Sequence, residues 1–245
     1  MCWKKCGTVM WSLLTAFFFF FFVARVCPSV MADEIQRYFR IDATQFGVLM
    51  GIYYAAYASM QVPNGILLDL YGPRYVATIC CFLCAGGCFI FSMADSWFLV
   101  KLARAMIGAG SAGAFISTSK LIRLWFDETK YAKIVGITVT FGLVGGMFGG
   151  KPVGFLKNMV GWHETFFIIG AIGTIIALFI LLFVRNPDNF KAVHQETNIL
   201  KRAWEQMVSQ KIYLIALCGS VMSGPLYAFA DAWGVSFFRQ ALGWE

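Results

Sequence analysis

The chain has 245 residues, 59% of them hydrophobic and only 13% charged, with a mean hydropathy of +0.69. A soluble domain carries nearer half apolar and a quarter charged residues, so this composition excludes a soluble globular class and points to a polytopic membrane protein. The net charge of +7 does not indicate nucleic-acid binding, because the basic residues sit in short loops between apolar runs, where topology signals lie.

A spanning helix needs about 20 mostly apolar residues. Runs bounded by loop signals predict spans at 9–29, 44–64, 75–93, 98–122, 133–156, 164–184 and 211–238. The first run follows Lys4 and Lys5, and Val30-Met31-Ala32 resembles a cleavage site. Its length and Arg25 favour a retained span over a signal peptide. Phe17 to Phe22 cover the whole circumference of that span and are expected to face lipid and fill packing space. Cys80, Cys81, Cys84 and Cys88 fall within one span, where small polarizable packing residues are the simpler reading than a disulfide framework or a metal site. Trp11, Trp97, Trp125 and Trp162 mark predicted span edges. With the N-terminus in the cytoplasm, twelve lysines and arginines fall in inner segments and four in outer ones, which sets the orientation by the positive-inside rule. A bacterial inner membrane is the expected location.

The stretch PNGILLDLYG from Pro63 can be laid on PVGFLKNMVG from Pro152. This pairs Pro63 with Pro152, Gly65 with Gly154, Asp69 with Asn158 and Gly72 with Gly161, at a constant shift of 89 residues. The same shift carries the first span onto the fourth and the third onto the sixth. Three spans separate the copies, so they lie in opposite orientations, as in inverted-repeat transporters.

Three stretches then carry a family resemblance. GILLDLYGPR, with Gly65, Asp69, Gly72 and Arg74, resembles the loop signature between the second and third helices of the major facilitator superfamily. RAMIGAGSAG, with Arg104, Gly108, Gly110 and Gly113, resembles the fourth-helix signature, and GLVGGMFGG, from Gly142 to Gly150, the glycine-rich fifth-helix signature. Leu70 departs from the basic residue common after the aspartate. The resemblance implies an all-α membrane fold, a bundle with an inverted 3+3 repeat over 1–184. It further implies a cytoplasmic linker at 185–210, and at 211–245 a seventh span with the start of an outer loop. It also implies twelve spans in the whole, so the expectation is a fragment, a truncated product or half of a split transporter. The family's loop aspartate looks toward a helix start in the other bundle, which implies a gating role for this turn.

Several residues are candidates for chemistry. A charge near the bilayer centre costs about 2.5–3.5 kcal/mol and normally faces the bundle interior. Arg25 is therefore a candidate anion-binding charge and Arg104 a supporting one, against snorkelling or pairing with a backbone carbonyl. Tyr53, Tyr57 and Gln61 share a helix face and either line a polar path or pack. Asp231 in the seventh span is a candidate for ion coupling, or else an edge carboxylate paired with Arg239. Gly142, Gly146, Gly150 and Gly154 recur every fourth residue and predict a smooth stripe for helix approach, sliding or static. Lys151 is read as snorkelling. The sequence contains no Gly-rich phosphate loop with its lysine, no HExxH and no nucleophile with a positioned histidine. Neither catalytic residues nor a cofactor nor a metal is expected. The expected function is secondary active transport of a small polar solute, an organic anion or amino-acid-like, by alternating access. A proton or other ion would be the coupling partner and the bilayer the environment. The alternatives are a non-transporting fragment or scaffold, and a half-transporter completed by self-association or a partner chain.

Overall fold

In a computed structural model, residues 2–186 are described, together with helical positions at 214, 217–222, 224 and 237. The chain partitions into two compact units, Met1–Ala192 and Val193–Glu245. Asp231, most of the predicted linker and much of the predicted seventh span lie outside the described residues.

Helix α1 (Cys2–Val26) ends where Pro28 opens a 3₁₀ turn, Cys27–Met31, and the short α2 (Ala32–Phe39) follows. Then come α3 (Ala43–Ser92), α4 (Trp97–Trp125), α5 (Glu128–Gly149), α6 (Lys151–Val160) and α7 (Trp162–Phe183). Their starts follow local chemistry. Asp42 and Gln45 form a reciprocal capping box at the start of α3, and Ser96 caps α4 through the Leu99 N–H. No strand occurs among the described residues.

Among the described residues, five stretches are long and apolar enough to cross a membrane. One of them, α3, would be about 75 Å long if straight, more than twice the hydrocarbon core of about 30 Å. It folds at Gly72 (φ 79°, ψ 172°) into two segments. Cys80 Sγ lies 3.7 Å from Asn64 Oδ1, which sets residues equidistant from Gly72 side by side. So α3 supplies two antiparallel crossings, and the described unit six.

The repeat is visible in the backbone. The positive-φ glycines among the described residues are Gly72 and Gly161 (φ 89°, ψ 168°), the pair matched by the 89-residue shift. Gly72 lies at the face that holds the start of α1 and the ends of α4 and α7; the Arg185 N–H meets Met10 Sδ there. Gly161 lies at the opposite face, where Lys157 pairs with Glu34 at 2.8 Å and Phe39 meets Trp97. The repeats are therefore inverted.

The structure corrects two expectations. The phenylalanine run packs more than it faces lipid: Phe17, Phe18, Phe20, Phe21 and Phe22 are all buried, because α1 is enclosed by α4, α5 and α7. The glycine stripe of 142, 146, 150 and 154 does not form one face either. The helix breaks at Gly150 (φ −84°, ψ −111°) ahead of Pro152, which leaves Gly154 on α6 with open space around it. The close approach to α1 uses Gly142, Gly145 and Gly149 instead. Side chains there would run into the Phe18 ring, the Phe19 carbonyl and the Val23 carbonyl. A spacing of three then four follows the helical period better than a strict four.

On α4, a side chain at Gly108 would overlap the Tyr53 carbonyl. At Gly110 and Gly113 it would overlap the backbone and thiol of Cys80. The cysteines of the second α3 segment are free and buried, and Cys80 and Cys84 fill the space that those glycines leave.

Candidate functional site

Arg104 on α4 is wholly buried. Its guanidinium donates to the Ala24 carbonyl at 3.1 Å and to the Arg25 carbonyl at 2.8 Å, contacts Met50 Sδ at 3.5 Å, and lies 4.6 Å from the Tyr53 ring centre. Since α1 ends at Val26, those carbonyls belong to its last turn and lack helical partners. A cation at a helix C-terminus is also favoured by the macrodipole. Arg104 thus caps α1 within the helical bundle: it pairs with backbone carbonyls and does not snorkel.

Arg25 is 9% exposed and stacks 4.2 Å over Phe22. The charged side chains buried in the described unit are these two arginines, both positive. Beside them, Tyr53 is buried, meets Tyr54 edge-on, and stacks on Tyr57 with ring centres 6.1 Å apart. Tyr57 and Gln61 are half-buried further along the same helix. The structure therefore gathers Arg25, Arg104 and Tyr53 into one cluster, with Tyr57 and Gln61 leading away from it. In this low-dielectric setting a cation acts on an anion far more strongly than in water.

The second constellation is the turn at Gly72. Asp69 pairs with Lys120 of α4 at 2.8 Å, within the same unit. Arg74 donates through Nε and Nη2 to the Leu181 carbonyl at 3.2 and 2.8 Å, which caps the end of α7. The Asn186 side chain bridges the turn, accepting from the Arg74 N–H and donating to the Tyr71 carbonyl. It fills the space where a side chain at residue 72 would stand. Gly65 faces open space.

Sequence reasoning missed Lys120 and Asn186, and it offered a backbone carbonyl as the partner of Arg104 without identifying which one. Lys120 carried a weak signal as a basic residue at the end of the fourth span, whereas nothing in the sequence marks Asn186 or a main-chain oxygen.

Six apolar crossings, an inverted repeat and a buried cationic cluster define a polytopic helical bundle of the membrane-transporter class. The chain belongs to the Major Facilitator Superfamily, whose family model matches residues 13–245, and it is a multi-pass membrane protein of a transporter family, not an enzyme. It is similar to the probable sulfoacetate transporter SauU of Cupriavidus necator, at 22% identity over 93% of this chain and 56% of that protein. It is also similar to the galacturonate transporter of Dickeya chrysanthemi, at 25% identity over 91% of this chain and 69% of that protein. A bacterial homolog of the human lysosomal transporter Spinster, solved inward-facing and unoccupied, matches 98% of this chain and 57% of its own. Its TM-score is 0.75 at 20% identity, a likeness of fold. The chain spans about half the length of the curated relatives it matches.

Proposed function

We propose that this chain works in secondary transport of a small organic anion by alternating access, with residues 1–184 as the first bundle around the solute path. The observation that carries this reading is the buried, all-positive cluster of Arg25 and Arg104 beside Tyr53. Sulfoacetate and galacturonate, the solutes named for the two relatives, share an acidic group on a small polar body. In this reading Arg25 meets the acidic group, Arg104 holds the helix end that carries Arg25, and the Tyr57–Gln61 face offers hydrogen bonds to the polar body. The face holding Gly72 is cytoplasmic, supported by the basic residues concentrated there, and the turn at Asp69 and Arg74 serves the gate. Energy comes from a solute or ion gradient, with Asp231 as the candidate coupling group.

The test is binding of D-galacturonate and of sulfoacetate to the full chain in lipid nanodiscs, with neutral D-galactose as the control. Arg25→Gln removes one charge-assisted contact and is expected to weaken anion binding about tenfold to a hundredfold. Equal binding by wild type and variant, or competition by galactose as strong as by the anions, would overturn the reading. Uptake into proteoliposomes then tests transport itself.

A further inference from the structure

The shift that relates the two repeats carries Arg74 onto His163 and Ser92 onto Leu181. Arg74 donates to the Leu181 carbonyl. At the opposite face His163 Nδ1 stands 2.6 Å from the Ser92 carbonyl. The two contacts are the same contact, seen from either end of the pseudo-two-fold. Because a carbonyl only accepts, Nδ1 carries the proton and donates.

We infer that His163 is a positioning residue, the counterpart of Arg74, and that Gly161, His163 and Ser92 form a second anchor at the face opposite the Gly72 turn. Each anchor has the same parts. A positive-φ glycine turns the chain, and the residue two positions on reaches the last turn of the matching helix in the other repeat. Ser92 and Leu181 lie in the last turns of α3 and α7, where carbonyls lack helical partners. Neighbouring rings fix the imidazole in this orientation, since it stacks on Trp162 at 3.5 Å and meets Tyr38 edge-on at 5.3 Å. The second segment of α3 and α7 also pack along their length: Cys81 Sγ reaches the Gly173 carbonyl at 3.4 Å, and the Phe91 and Phe166 rings stack at 4.0 Å. Pinned at both ends, these helices form a strut that moves as one body. Apart from the Gly72 and Gly161 turns that bound the strut, the chain also breaks after Val26 in α1 and at Gly150 between α5 and α6.

Hydrogen–deuterium exchange on the full chain in nanodiscs tests this without reference to any solute, so its result stands apart from the transport reading. His163→Ala should speed amide exchange at residues 90–94 about fivefold, one net hydrogen bond's worth, and leave residues 181–186 unchanged. Arg74→Ala should do the reverse. His163→Arg, which copies the other anchor, should restore protection. If His163→Ala does not fold, folding of His163→Arg with full protection at 90–94 supports the anchor, and its failure overturns it. Unchanged exchange at 90–94 in His163→Ala, equal loosening of both ends by either variant, or no rescue by arginine would also overturn the inference.

Discussion

Replacing Arg104 by methionine separates its capping role from the cost of its buried charge. Two charge-assisted hydrogen bonds, to the Ala24 and Arg25 carbonyls, are lost at about 1.5–3 kcal/mol each. Removing the charge returns part of its desolvation cost, so a net loss of about 2–4 kcal/mol is expected. For a chain of this size each kcal/mol shifts the melting temperature by roughly 2–4 °C, which predicts a drop of roughly 4–16 °C. Arg104→Lys keeps the charge but loses the fork that reaches two carbonyls at once, and should fall between. Thermal unfolding of the purified full chain in detergent, followed by loss of the monodisperse peak, measures all three proteins. A methionine variant that melts at or above the wild-type temperature would refute the argument, since desolvation would then outweigh the cap.

Two further outcomes follow from packing and from the turn. Gly145→Leu meets the Phe19 main chain, which cannot yield, and should cost about 3 kcal/mol or more. Gly146→Ala meets only the Phe22 ring at 3.6 Å and should be neutral or slightly stabilising; the same melting assay reads both, and the opposite order would place the contact face wrongly. Gly72→Ala forces φ 79°, ψ 172° on an L side chain, a region that only glycine adopts readily, and displaces Asn186; the same melting assay should show a loss of about 1–3 kcal/mol. Asp69→Asn removes a pair whose side chains are 33% and 50% exposed and should cost under about 1 kcal/mol, less at high salt.

The crossings were legible because lipid demands them. A backbone in hydrocarbon must satisfy its own hydrogen bonds, so long apolar runs read directly as helices, and the described six fall where the runs fall. The inverted repeat was legible for a related reason. Gly72 and Gly161 hold a conformation that L side chains resist, so the glycine returns wherever the turn returns. The break at Gly150 was less visible. Gly150 and Pro152 flank it as Gly65 and Pro63 flank nothing of the kind in α3, and local composition does not tell the two apart.

The site was legible in its charges and opaque in their partners. Arg25 and Arg104 look alike in the sequence, each a lone cation in an apolar span, and insertion cost says only that both should point inward. What distinguishes them is the place where α1 stops. Ending at Val26 leaves the carbonyls of residues 24 and 25 without helical partners, and Arg104 comes from another helix to meet them. Its charge is directed at main chain, while Arg25, one residue before the helix end, carries its guanidinium against the Phe22 ring. Helix ends, not span positions, thus assign the two arginines different work. The same logic accounts for Arg74 at Leu181 and His163 at Ser92: Arg104, Arg74 and His163 each bring a side-chain N–H to a place where a helix runs out of backbone donors.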